Sequence, residues 1–167
     1  MRLFLAVNFD NDMRLQLLAL RDELHSRSEC GNFVLPENLH LTLVFLGECS
    51  EDQVERIKRA VGFSEFEPFD IQIDRLGRFK RSDGDLWWAG IRDNRELNEM
   101  QHRLSDNLIQ EGFRLDKRRF NPHITLGRKV IVDIVPRRIE TFGQTVSRID
   151  LMKSERIDGV LTYTMLQ

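Results

Sequence analysis

Two short segments carry the same residue types at the same spacing. His40-Leu41-Thr42-Leu43 recurs 83 residues later as His123-Ile124-Thr125-Leu126. With four histidines and six threonines in 167 residues, chance yields about 0.14 His-x-Thr matches, so a pair is roughly a 1% event. In a strand, residues i and i+2 face the same side. His40 and Thr42 would then project together above a buried Leu41 and Leu43, and His123 and Thr125 above Ile124 and Leu126. If the two strands lie side by side, two imidazoles and two hydroxyls line one cleft floor. That set suits phosphoryl transfer. Opening a cyclic phosphodiester with water needs a base for the nucleophile and an acid for the leaving alkoxide, and imidazole serves either role near neutral pH. Thr42 and Thr125 can donate to non-bridging phosphoryl oxygens. Arg128, five residues past His123, can add a bidentate cationic contact.

Other residues invite weaker readings. Arg114, Lys117, Arg118, Arg119, Arg128 and Lys129 against Asp116 leave residues 114–129 at +5. Arg118 and Arg119, with Arg75, Arg78, Lys80 and Arg81, could track an RNA backbone near the cleft. His102 falls opposite the apolar stripe of its helix, and His25 lies near a helix C-terminus; both read as structural. Trp87-Trp88 reads as one core and one surface indole, with base stacking as the alternative. A zinc hydrolase would need convergent ligands, but no H-E-x-x-H or paired-Cys spacing exists. A non-catalytic RNA-binding module would need an exposed aromatic strand signature, which is lacking, and has no use for two His-x-Thr strands.

The elements that must position these residues follow from periodicity. Residues 3–8 read as a strand covered on both faces, and 12–27 as a helix. A short extended piece at 33–35 leads to the strand 39–46, stopped by Gly47. Ser50 with Gln53 is a capping-box signature ahead of a helix that ends at Gly62. Residues 69–73 and 86–91 read as strands around a polar loop holding Arg78, Lys80 and Arg81. A helix over 94–111 presents Leu97, Met100, Leu104 and Leu108 on one face and stops at Gly112. Residues 123–128, 144–152 and 160–166 read as strands. This order is α+β, with strands close enough in sequence for antiparallel pairing.

Length and 41% hydrophobic content fit one domain spanning residues 1–167. A net charge of −2, from 25 basic and 27 acidic residues, excludes a polybasic protein and an acidic tail. Cys30 and Cys49 make no disulfide framework, and no segment is apolar enough for a signal sequence or membrane span. A cytoplasmic, monomeric protein with no membrane association is expected.

Phe33-Val34-Leu35-Pro36-Glu37-Asn38-Leu39-His40-Leu41-Thr42-Leu43-Val44-Phe45-Leu46-Gly47 resembles the first motif of the RNA 2′,3′-cyclic phosphodiesterases, also called 2′-5′ RNA ligases, of the 2H phosphoesterase superfamily. Phe120-Asn121-Pro122-His123-Ile124-Thr125-Leu126-Gly127-Arg128 resembles the second. The similarity runs through nearly the whole chain, with Phe33 where many members carry Trp and Lys80 where Pro is more usual. The resemblance implies a bilobed α+β fold with pseudo-twofold symmetry, antiparallel sheets lining a central cleft and helices outside. It implies hydrolysis of RNA 2′,3′-cyclic phosphate ends to 2′-phosphates without metal or cofactor, and reversible ATP-independent 2′-5′ joining of RNA such as tRNA halves. His40 and His123 become the acid–base pair, with His123 favoured as the base that activates water. Thr42, Thr125 and Arg128 become the phosphate contacts, and Phe45 a contact for the terminal nucleobase. RNA decay fragments and a small cyclic phosphate of the ADP-ribose type are the other substrates considered.

Overall fold

The computed structural model describes residues 1–167. In chain order the elements are β1 (Arg2–Asn8), α1 (Asn11–Arg27), β2 (Ser28–Phe33), a 3-10 turn (Pro36–Asn38), β3 (His40–Glu48), α2 (Glu51–Gly62), β4 (Phe69–Phe79), β5 (Asp85–Ile91), α3 (Arg95–Gln110), β6 (His123–Val132), β7 (Arg137–Val146), β8 (Asp150–Ile157) and β9 (Val160–Met165). They build two antiparallel sheets, the first in the order β3-β1-β8-β9 and the second β2-β6-β5-β4-β7. No helix is long and apolar enough to cross a membrane.

Helix starts are set by local chemistry. Asp10 accepts the Met13 N–H at 2.8 Å and Asn94 the Leu97 N–H at 2.9 Å. Gln53 reaches back to the Ser50 N–H at 2.8 Å, as its spacing from Ser50 requires. Gly112, at φ +94°, takes the left-handed conformation that ends α3.

The core lies where the sheets face each other and the helices. Leu3, Leu5, Val7, Leu41 and Leu43 of the first sheet join Ile71, Ile73, Trp87, Ile124 and Leu126 of the second in one continuous buried cluster. α1 adds Met13, Leu17 and Leu24, and α3 adds its whole predicted stripe. The helices bridge the sheets: α1 follows β1 but packs on β2, β6 and β7, while α3 touches both β3 and β4. The other face of β1 is also covered. There Phe4, Ala6 and Met152 are buried beneath Tyr163.

Several expectations change. β3 and β6 belong to different sheets, so the two His-x-Thr strands are not ladder neighbours; they meet at the seam where the sheets touch. β4 runs on to Phe79, with Arg78 paired to Trp87 across the ladder, which leaves only residues 80–84 as the loop. Backbone pairing carries the strand past the point where apolar alternation fades. Residues 144–152 are not one strand. The chain leaves the second sheet after Val146 and enters the first at Asp150. β2 and most of β7 escaped the periodicity because both are sheet edges with polar, exposed side chains.

Candidate active site

His40 and Thr42 stand opposite Asn8 and Ala6 of β1. Strict alternation would then turn Phe45 into the core, beside Leu41 and Leu43. Instead the register slips: Leu5 pairs with Val44, and Ala6 with Thr42. One extra residue in β3 reverses the parity, so Leu43 and Val44 are both buried and Phe45 returns to the cleft face, 70% exposed. β6 repeats the device. Trp88 pairs with Thr125 and Trp87 with Gly127, which leaves Leu126 as the extra residue. Arg128 thereby joins His123 and Thr125 on the cleft face. In both strands the site residues are the histidine, the second residue after it and the fifth.

The imidazoles are held alike. Nδ1 of His40 lies 2.7 Å from the Asn38 carbonyl, and Nδ1 of His123 lies 2.7 Å from the Asn121 carbonyl. A carbonyl can only accept, so Nδ1 carries the proton and Nε2 is left for the substrate. Nε2 of His40 is 2.7 Å from the Thr42 hydroxyl, which donates to it while the ring is neutral. Each ring also sits between two aromatics. Phe4 (5.0 Å) and Tyr163 (5.1 Å) flank His40, and Phe79 (5.1 Å) and Trp88 (6.3 Å) flank His123.

This setting makes both imidazoles hard to charge. Burial pushes both below the ordinary 6.5; the accepting carbonyls oppose it, and Arg128 reinforces it at each ring. His40 also feels His123. Burial raises the Tyr163 hydroxyl, with Arg128 opposing. No carboxylate pairs with either catalytic candidate, and Arg128 has neither an ion pair nor a side-chain hydrogen bond. Its guanidinium is left free to meet an anion placed between the rings. No three His, Cys, Asp or Glu side chains converge closely enough to hold a metal ion.

The family model of the 2′-5′ RNA ligase superfamily matches residues 11–158. The chain belongs to that superfamily. Among relatives, the RNA 2′,3′-cyclic phosphodiesterase of Archaeoglobus fulgidus is 35% identical over 151 residues, covering 86% of this chain and 85% of the relative. The Escherichia coli K12 protein of the same name is 30% identical over 99% of this chain and 94% of its own. In three dimensions, E. coli LigT complexed with 3′-AMP superposes with a TM-score of 0.87 at 31% identity, covering 99% of this chain and 95% of that one. TT0787 of Thermus thermophilus gives 0.86 at 25% identity, covering 100% and 96%. Two antiparallel sheets with three helices are therefore the superfamily's α+β architecture.

Around the cleft the candidate residues separate. His40, Thr42, Phe45, His123, Thr125 and Arg128 share it. Arg118 is tied to Asp116 by a forked contact at 2.6 and 2.8 Å and, with Arg119, borders a groove of about 950 Å³ whose lining also includes Arg75, Asn121 and Pro122. His102 is 78% exposed beside Asp106, and His25 stacks on Phe33 at 4.4 Å. Trp87 is core. Trp88 is half-buried on the cleft side, beside His123. Sequence reasoning passed over Tyr163, Phe4 and Phe79. It also missed that the repeat extends backwards, as Asn-x-His-x-Thr at 38–42 and 121–125, where the backbone carbonyls orient the rings.

Proposed function

We propose that this protein hydrolyses RNA 2′,3′-cyclic phosphate ends to 2′-phosphomonoesters, using His40 and His123 as an acid–base pair and needing no metal or cofactor. The observation that carries the reading is the duplicated imidazole geometry: two rings presenting Nε2 to one cleft, with an unpaired guanidinium beside them. Water attacks phosphorus and gives its proton to one neutral Nε2. The bond from phosphorus to O3′ breaks, and the other imidazole, protonated, supplies the proton that O3′ takes up. Arg128, Thr42 and Thr125 hold the non-bridging oxygens as their charge grows.

The fifth position breaks the symmetry. It is Phe45 on β3 and Arg128 on β6, so a nucleobase favours the first sheet and the phosphoryl oxygens the second. With the terminal nucleoside against Phe45 and Tyr163, its ribose lies nearest His40. His40 then protonates O3′, and His123, whose Nε2 has no partner within the protein, activates the nucleophile. An RNA 5′-hydroxyl in place of water would form a 2′-5′ linkage without ATP, because one phosphoester bond is exchanged for another. Transfer-RNA halves and decay fragments are natural sources of such ends.

Phosphorus NMR of an oligonucleotide ending in 2′,3′-cyclic phosphate, incubated with the protein in excess EDTA, tests this. A 2′-phosphomonoester is expected. A 3′-phosphate would reverse the leaving group. Turnover of an ADP-ribose cyclic phosphate but not of the RNA would replace the substrate, and activity lost to EDTA would overturn metal independence.

A further inference from the structure

Water needs no seat of its own, yet the His123 side of the cleft is furnished with one. His123 lies in a cross-strand row with Gly90 on β5, Arg75 on β4 and Arg138 on β7; the next row is Thr125, Trp88 and Gly77. Two bare glycines let the Trp88 indole lie flat along the sheet. A Cβ on Gly77 would stand 2.2 Å from its Cη2, and one on Gly90 2.8 Å from its Cζ3. Arg75 rests on this ring at 5.7 Å. Beyond it positive charge accumulates. The buried Asp74 carboxylate is shared by Arg75 at 2.9 Å, Arg92 at 3.5 Å and Arg138 at 3.9 Å. Three guanidiniums on one carboxylate leave a surplus of two positive charges, and Arg92 and Arg138 are 57% and 88% exposed. Arg118, by contrast, is matched one to one by Asp116.

An aromatic platform followed by unneutralised arginines is the pattern that holds single-stranded nucleic acid: a base stacks, and backbone phosphates meet the cations. Three strand spacings separate β6 from β7, about 14 Å. A single nucleotide reacting between His40 and His123 cannot span that distance. We propose that this face of the second sheet seats the acceptor RNA, a single strand with a free 5′-hydroxyl whose first base stacks on the Arg75–Trp88 pair and whose following phosphates pair with Arg92 and Arg138. The inference rests on the reading of the cleft given above, in which the nucleophile enters on the His123 side. Its 5′-oxygen attacks phosphorus and its proton passes to His123; the bond to O3′ breaks and O3′ takes the proton of His40. The products are a 2′-5′ phosphodiester and a free 3′-hydroxyl, and no external energy source is consumed.

The experiment supplies a nucleoside 2′,3′-cyclic monophosphate with a 5′-hydroxyl RNA pentamer and measures the ratio of transfer product to 2′-phosphate. Wild type is compared with the double variant R92A/R138A and with R118A/R119A, each checked for folding by circular dichroism. R92A/R138A should lower the ratio at least tenfold and R118A/R119A less than twofold. The log–log salt dependence of pentamer binding, read by fluorescence anisotropy, should flatten by about 1.4 for the two lost phosphate contacts. Equal effects of the two double variants, or hydrolysis with no transfer by wild type, would overturn the acceptor site while leaving the hydrolytic reading intact. A raised KM for a cyclic-ended oligonucleotide in hydrolysis without acceptor would instead assign the face to the donor strand. Absence of all turnover would remove the hydrolytic reading; anisotropy would still show whether the pentamer binds through Arg92 and Arg138.

Discussion

A pair of imidazoles with the same tautomer and no carboxylate behind either depends on its surroundings to divide the work. In the proposed mechanism acid and base act in one step, so His40→Ala and His123→Ala should each cut kcat by about 10²–10⁴-fold, with unchanged circular dichroism. Near-normal turnover in either variant would refute the pair. The pH dependence follows from burial. The proposed reactive form has one ring neutral and one protonated, so kcat/KM should trace a bell. Both rings are held below 6.5, which places the maximum of the bell on the acid side of that value. Arg128 is a common cause of the lowering. Arg128→Gln should therefore move both limbs to higher pH while reducing the maximum about 10²-fold through the lost phosphate contact. Limbs that stay in place would mean that Arg128 does not act on the rings. Phe45→Ala should raise KM about tenfold for a cyclic nucleotide, the scale of one lost base stack; an unchanged KM would remove Phe45 from the site.

At the scale of elements, the two bulges and the glycine bed do what alternation alone cannot. Gly77→Ala places a methyl inside the volume of the Trp88 ring, so the indole must lift or the ladder must shift. A loss of about 1–3 kcal/mol is expected, measured by urea unfolding with tryptophan fluorescence reporting the displaced ring. Unaltered stability and emission would show that the strand absorbs the methyl. These features also mark what was legible beforehand. His40, Thr42, His123 and Thr125 stood out because a repeated i, i+2 pattern survives without knowledge of partners. Phe45 and Arg128 came through resemblance and charge rather than period, since a bulge is set by the neighbouring strand. β2 and β7 were hidden because edge strands need no apolar alternation. The break between β7 and β8 was hidden because a strand that changes sheets keeps its local character. Tyr163 lies within the strand read over 160–166, but its place beside His40 depends on β9 pairing with β8 and β8 with β1, which periodicity does not give.

For the whole molecule, the chain alternates between sheets. β1 and β3 are in the first, β2 and β4 to β7 in the second, and β8 and β9 return to the first. Neither half is contiguous, and one buried cluster joins both. Unfolding should therefore be a single cooperative event. Guanidinium curves from tryptophan fluorescence, which reports the second sheet through Trp87 and Trp88, should coincide with those from far-ultraviolet circular dichroism. Two separated midpoints would mean that the lobes melt independently.

The carbonyls of Asn38 and Asn121 have a bearing on inheritance as well as on catalysis. The group that fixes which nitrogen faces the cleft belongs to the main chain at both histidines, and every residue type supplies it. An alanine scan passes over such a contact, and no point mutation can delete it. Only a change in backbone course, or chemical replacement of the following amide by an ester to weaken the carbonyl as an acceptor, would reach it. Drift in the side chains can thus alter what the cleft recognises while the orientation of its two rings persists.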